Sequence, residues 1–154
     1  MSEVRIVLAD LDHEQVADLL RFHHAQAHAE SPAEFAFALD IDGLRDPAIS
    51  VFAGWRGGTL VTIGALRALG DDTGEVKSMR TASGEVRRGY AQAMLSHLIV
   101  EARGRGWTRL LLETGNNAAF GAARRLYARN GFVSCEPFGD YKASEFNVFY
   151  ALTL

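Results

Sequence analysis

The sequence predicts one α/β (α+β) domain spanning residues 1–154, with a mixed, mostly antiparallel central sheet, one parallel βαβ unit and flanking helices. Three observations carry this. Short β-rich runs are joined by the turn signals Arg56-Gly57-Gly58 and Gly70-Asp71-Asp72, as in antiparallel hairpins. A single helical stripe, Ala91, Met94, Leu95, Leu98, Ile99 and Ala102, separates two further strand-like runs, so those two must pair in parallel through a right-handed crossover. A chain of 154 residues is also long enough for one core of its own.

Taken in order, residues 4–8 (VRIVL) form a first strand. Asp12 is expected to cap a helix that runs to about Ala29, with Val16, Leu19 and Leu20 on its buried face, and Ser31-Pro32 ends it. A weaker helix is expected over residues 33–44, before Asp46-Pro47. Residues 49–55, 59–69 and 74–81 are three hairpin-connected strands. The helix carrying the stripe stops at Gly104 and Gly106, and residues 108–114 (TRLLLET) are a buried strand. Asn116 or Asn117 caps the next helix, which presents Phe120, Ala123 and Tyr127 and stops at Asn130-Gly131; residues 132–136 and 146–154 are the last strands.

Composition narrows the function. The content is 48% hydrophobic and 23% charged, as in an ordinary globular protein, and the net charge of −3 argues against nucleic acid as a partner. No run of about 18 apolar residues is present to span a bilayer, and the opening MSEVRIVLAD lacks a signal-peptide pattern, so a cytoplasmic protein with no membrane partner is expected. The one cysteine, Cys135, rules out an internal disulfide and reads as a small core residue rather than a nucleophile.

The stretch that organises the chain is EVRRGYAQAML, residues 85–95, where an arginine-rich, glycine-containing turn leads straight into the striped helix. A glycine there lets a ligand approach the backbone, and the first helical turn offers unpaired N–H groups and the positive end of a dipole. Each such N–H bonded to a phosphate oxygen is worth roughly 1.5–3 kcal/mol. Arg87 and Arg88 flank the turn and add positive charge. The same residues also fit a solvated turn and an ordinary helix start.

The order of elements and two motifs resemble the GNAT superfamily of acyl-CoA-dependent N-acetyltransferases over the whole chain. Its pyrophosphate turn, (Gln/Arg)-x-x-Gly-x-(Gly/Ala), is similar to Val86 to Ala91, with Gly89 and Ala91 matching and Val86 at the Gln/Arg position. Its closing motif, Asn-x-x-Ala-x-x-Leu-Tyr-x-x-x-Gly-Phe, is matched by Ala123, Leu126, Tyr127, Gly131 and Phe132, with Phe120 in place of the asparagine and Asn116 and Asn117 nearby. The run from Glu75 to Thr81 also resembles the family's Glu-x-Lys-x-(Leu/Met)-x-Val strand.

The resemblance implies acetyl-CoA as co-substrate, an amine acceptor of small-molecule or peptide type, and no metal. It implies that the backbone of Met79, Arg80 and Thr81 pairs with the pantetheine and polarises the thioester. Arg87, Arg88, Gly89, Tyr90, Ala91, Gln92 and Ala93 would hold the phosphates, with Asn117 a further coenzyme contact. Tyr127 is the candidate acid for the departing thiolate, and otherwise a core tyrosine. Glu75 is the candidate base, and otherwise a solvated edge glutamate near Lys77. Arg67, Lys77 and Arg80 would attract an acceptor carrying a carboxylate, or face solvent and pair with acidic residues. His23, His24 and His28 include an i, i+4 pair of the kind that holds metal, but a solvated or substrate-facing surface fits them better. A non-catalytic acyl-CoA-binding regulatory domain and a cofactor-free interaction module are the alternatives, and a homodimer through the last strands is compatible with all three.

Overall fold

Aliphatic runs broken by glycine turns give the strands β1 (Arg5–Leu8), β2 (Ile49–Arg56), β3 (Thr59–Gly70), β4 (Thr73–Thr81), β5 (Arg109–Gly115), β6 (Val133–Ser134) and β7 (Asn147–Thr153). They form one sheet of order β1-β2-β3-β4-β5-β7-β6 in a computed structural model that describes residues 3–70 and 72–154. All neighbours are antiparallel except β4 and β5, so the expected mixed sheet with one parallel unit is present. Gly57, at φ 60°, turns the chain between Arg56 and Thr59 in a two-residue hairpin. Of the next expected turn, Asp71 lies outside the described residues, as do Met1 and Ser2.

Helices cover both faces because alternate strand residues point to opposite sides. On one face α1 (Glu14–Ala29) and the single turn α2 (Ile41–Leu44) bury Val16, Leu20 and Leu44 against Val51, Ile63 and Ala65. On the other, α3 (Tyr90–Gly104) and α4 (Gly121–Arg129) pack Met94, Leu95, Leu98 and Leu126 onto Leu66, Leu110 and Leu112. Met94, Leu95 and Leu98 are fully buried, each contributing roughly 1.5–3 kcal/mol of transfer free energy.

Four local expectations are corrected. His13, not Asp12, caps α1: its Nδ1 accepts the Gln15 N–H at 3.2 Å, and Asp12 instead holds Arg45 in a 2.7 Å ion pair. Residues 33–44 are not one helix but a 3₁₀ turn, Ala33–Phe35, a non-helical stretch over 36–40, and α2 capped by Asp40. Phe35 and Phe37 explain the break: they stack on Phe146 and Tyr141 at 5.1 and 5.0 Å, and residues two apart share no helical face. Only Val133–Ser134 of the stretch 132–136 is strand, because Phe132 turns into the α3 side of the core and its N–H closes α4 on the Tyr127 carbonyl. Cys135 is half-buried at that edge rather than a core residue, and its thiol is pushed up by partial burial.

Two irregularities of β4 set up the site. Its parallel pairing with β5 covers only Thr73↔Arg109, Gly74↔Leu110 and Glu75↔Leu111; beyond Glu75 the strands part. On its other edge β3 advances two residues, from Ile63 to Ala65, while β4 covers three, from Lys77 to Arg80. The extra residue is a bulge at Ser78, whose φ is 55°. Strict alternation would put Arg80 on the side of Val76. The bulge instead turns Arg80 toward α1, the face on which Glu75 and Lys77 meet Tyr141, while Val76 and Met79 pack under α3.

At the paired end of β4, Trp107 lies flat against Gly74, where a Cβ would collide with the indole ring. Gly74→Ala is expected to cost about 1–3 kcal/mol by overpacking. Gly58→Ala, at a turn position where a Cβ meets nothing, should stay within about 0.5 kcal/mol. Urea unfolding of the two variants beside the parent checks the difference.

Candidate active site

The parting of β4 from β5 opens a cavity of about 340 Å³ that reaches from α1 to α4. Past Glu75 no strand among the described residues pairs with the β5-facing edge of β4, so Met79 and Arg80 border the cavity with that side of the strand unpaired. The Ser78 hydroxyl at the bulge is buried and has no hydrogen-bond partner among the described residues. Tyr127, 6% exposed, comes from α4 on the far wall, packed at 5.7 Å against Phe132. Burial, helped by the negative potential of Glu113, holds its phenol protonated well above the ordinary tyrosine range.

Glu75 is not a solvated edge residue: it is 1% exposed, and its Oε2 accepts Tyr141 Oη at 2.6 Å and Lys77 Nζ at 3.3 Å. Lys77 also donates to Tyr141 at 3.0 Å, closing a three-membered network. The Tyr141 phenol is pushed up, first by burial and then by the Glu75 charge. Arg67 stands opposite Glu75 on β3 and outside the cavity wall.

Glu113 completes the polar wall, and nothing in the sequence singled it out. It sits on β5 on the same face as Leu111 and accepts a hydrogen bond from Asn147 Nδ2 of β7. Burial raises its carboxyl to about 7, with nearby Glu75 adding to the rise and Asn147 and Lys77 opposing it. The one signal available was a carboxylate at an inward position of an otherwise aliphatic strand.

His23, on α1, accepts the Arg80 Nε–H on its Nδ1 at 3.0 Å. Burial, reinforced by the Arg80 charge, pulls its pKa down to about 3, so it is a neutral acceptor at working pH. His24 and His28 do not join it: their rings stack at 4.2 Å and His28 Nε2 lies 3.2 Å from the Ala38 carbonyl oxygen. Among the described residues no group of three metal-ligating side chains is assembled.

The turn after β4 ends at the start of α3. Gly84, Arg87 and Gly89 take positive φ of 83°, 64° and 84°, and Gly89 occupies the cap position with no side chain over the helix end. The helix ladder begins with Ala93 N–H on the Gly89 carbonyl, so the amides of Tyr90, Ala91 and Gln92 precede it. Arg87 is exposed and Arg88 leans on Glu85 at 3.4 Å. Two side chains of this turn face inward. Tyr90 is 3% exposed and takes a 2.9 Å hydrogen bond from Arg56 of the β2–β3 hairpin, and Gln92 exchanges two 2.8 Å hydrogen bonds with Asn130 at the end of α4. Both offer a ligand at the helix start their backbone alone.

Asn117 caps Ala119 N–H with its Oδ1 and donates its Nδ2 to the Glu30 carbonyl at 2.6 Å, so both ends of the amide are engaged within the protein, on two residues that line the cavity. Phe120 packs its ring on Gly115, the last residue of β5.

Comparison with known proteins agrees with this geometry. The family model described as Acetyltransferase (GNAT) family matches residues 13–132. The chain is 43% identical over 145 residues to an uncharacterized N-acetyltransferase, YedL, of Escherichia coli strain K12, covering 94% of this chain and 91% of that one. It is 42% identical over 146 residues to an uncharacterized N-acetyltransferase, YsnE, of Bacillus subtilis strain 168, covering 95% and 97%. Its fold is similar to a putative acyl-CoA N-acyltransferase from Klebsiella pneumoniae (TM-score 0.81, 24% identity, 98% and 97% covered). It is also similar to a GNAT family acetyltransferase from Elizabethkingia anophelis solved with acetyl-CoA bound (TM-score 0.73, 13% identity, 98% of each chain). With the family model spanning most of the chain and close relatives covering nearly all of it, the protein belongs to the GNAT family of acetyltransferases.

Proposed function

We propose that this acetyltransferase moves an acetyl group from acetyl-CoA to a primary amine by direct attack within the β4–β5 cavity. The observation that carries the reading is the unpaired edge of β4 facing Tyr127 across that cavity. A pantetheine arm would add to this edge as an extra strand, and an amide near the bulge would donate to the thioester oxygen. Its phosphates would lie on the amides of residues 89–92, with Arg87 and Arg88 at the rim.

The reaction needs a neutral amine. An alkylamine of pKa ~10.4 is mostly protonated at neutral pH, and removing the proton costs about 4–5 kcal/mol. Of the two buried glutamates, Glu75 is already committed through one oxygen to Lys77 and Tyr141. Glu113, with its carboxyl raised to about 7, is matched to taking a proton near neutrality, and we assign the base to it and a supporting role to Glu75. The amine lone pair then attacks the acetyl carbon, forming the C–N bond as the C–S bond breaks. Tyr127, kept protonated by burial, gives its proton to the leaving sulfur, and the proton shed by the newly acylated nitrogen restores the phenol.

Titration with acetyl-CoA by calorimetry, followed by thiol release with a panel of amines, tests the reading. Tyr127→Phe is expected to lower kcat roughly tenfold or more with little change in acetyl-CoA affinity. Equal turnover would remove Tyr127 from the mechanism, and coenzyme binding without turnover on any amine would favour a non-catalytic acyl-CoA-binding domain.

Glu113 predicts a pH dependence. A base must be ionised to act, so the rate should fall as pH drops through about 7, where the carboxyl takes up its proton. Glu113→Gln should lower the rate and abolish that acidic limb, while Glu75→Gln, which removes a charge that raises the Glu113 carboxyl, should keep the limb and move it to lower pH. A limb that persists in Glu113→Gln would transfer the role elsewhere.

A further inference from the structure

One cation on the cavity wall is left without a close anionic partner among the described residues. Glu75 and Lys77 form an ion pair whose side chains are only 2% and 8% exposed. Glu113 is served by Asn147, and His23 is neutral. Arg80 remains: it is half-buried on the cavity wall, and among the described residues no carboxylate lies within ion-pair distance of it. Its only hydrogen-bond acceptor there is His23, through Nε, and the Phe22 ring lies 5.7 Å from the guanidinium carbon. These contacts fix the plane of the group and leave its two terminal nitrogens uncommitted, the fork that receives a carboxylate through two parallel hydrogen bonds.

We infer that the acceptor is a small amine carrying its own carboxylate, of the α-amino-acid class with an apolar side chain, and that Arg80 grips the carboxylate. The inference rests on the acetyltransferase reading and names the acceptor for that site. Arg80, Glu113 and Tyr127 line the same cavity, so the carboxylate grip and the proton acceptor stand around one centre. At about 340 Å³, the cavity sits at the low end of the roughly 300–1,000 Å³ usual for ligand pockets, and the thioester end of the coenzyme must share it. That favours a free amino acid over a protein segment, and a peptide N-terminus brings no carboxylate beside its amine. Phe35, Phe37 and Phe120 supply the apolar wall for the side chain.

The test uses binding of product analogues, so it does not require turnover. Wild-type protein is titrated calorimetrically, with CoA present, with N-acetyl-L-phenylalanine and with N-acetylphenethylamine, which differs only by lacking the carboxylate. The first should bind about tenfold more tightly or better, the scale of a paired charge-assisted contact. Arg80→Gln should reduce the ratio to near one, and Arg80→Lys, which keeps the charge but not the fork, should retain part of it. Equal affinities in the wild type, absence of binding by both compounds, or a ratio unchanged in a folded Arg80→Gln protein would each overturn the assignment. Acetyl-CoA titrated into the same samples separates the two claims. Protein that takes up acetyl-CoA but does not discriminate loses the carboxylate assignment alone, whereas protein that takes up no acetyl-CoA loses the acetyltransferase reading as well.

Discussion

One extra residue in β4 underlies most of what the site can do. A strand of unbroken alternation would bury Glu75, Lys77 and Met79 on one side and Val76, Ser78 and Arg80 on the other, because side-chain direction repeats every two residues. The bulge at Ser78 breaks that parity, so Arg80 joins the two charged residues on the α1 face and Met79 drops into the core beneath α3. The parallel pairing with β5 ends at Glu75, just before the bulge, so the distorted part of β4 is also the part whose β5-facing edge is open. A polar wall, an unpaired backbone edge and a cavity thus meet on one short stretch of β4.

The electrostatics follow from this placement. Grouping two glutamates, a lysine, an arginine, a histidine and a tyrosine where a sheet meets a helix would be costly if all were charged and unpaired. The structure limits the cost by pairing Glu75 with Lys77, keeping His23 neutral and lifting the Glu113 carboxyl toward neutrality. Tyr127 lies within the field of both Glu113 and Arg80, so the groups proposed to take and give protons sense one another.

The sequence made the architecture legible because periodicity and turn glycines are local. The stripe from Ala91 to Ala102, the Gly57-Gly58 hairpin and the Gly89 turn all appear where they were read. The placement of β7 between β5 and β6 was not legible, since neighbour order is not written in any one strand. Nor was the bulge, because VKSMRT reads as continuous strand and Ser78 is not a residue that advertises positive φ. Glu113 was hidden by its neighbours: TRLLLET scores as a buried strand, and the value of its carboxylate comes from Asn147 and Glu75, far away in the chain. The composition of the stretch 33–44 favours a helix, whereas its two phenylalanines are claimed by Phe146 and Tyr141 in the loop before β7.

The paired amides of Gln92 and Asn130 join the first turn of α3 to the last turn of α4 through two hydrogen bonds, and Asn130 is anchored in turn on the Leu126 carbonyl. This brace ties the helix start suited to phosphates to the helix that carries Tyr127. The two are therefore linked as one jaw, in which the proposed acid keeps its distance from the start of α3. The opposing jaw, made of α1 and the non-helical stretch over 36–40, is joined differently, by the ring of His28, whose Nε2 lies 3.2 Å from the Ala38 carbonyl oxygen.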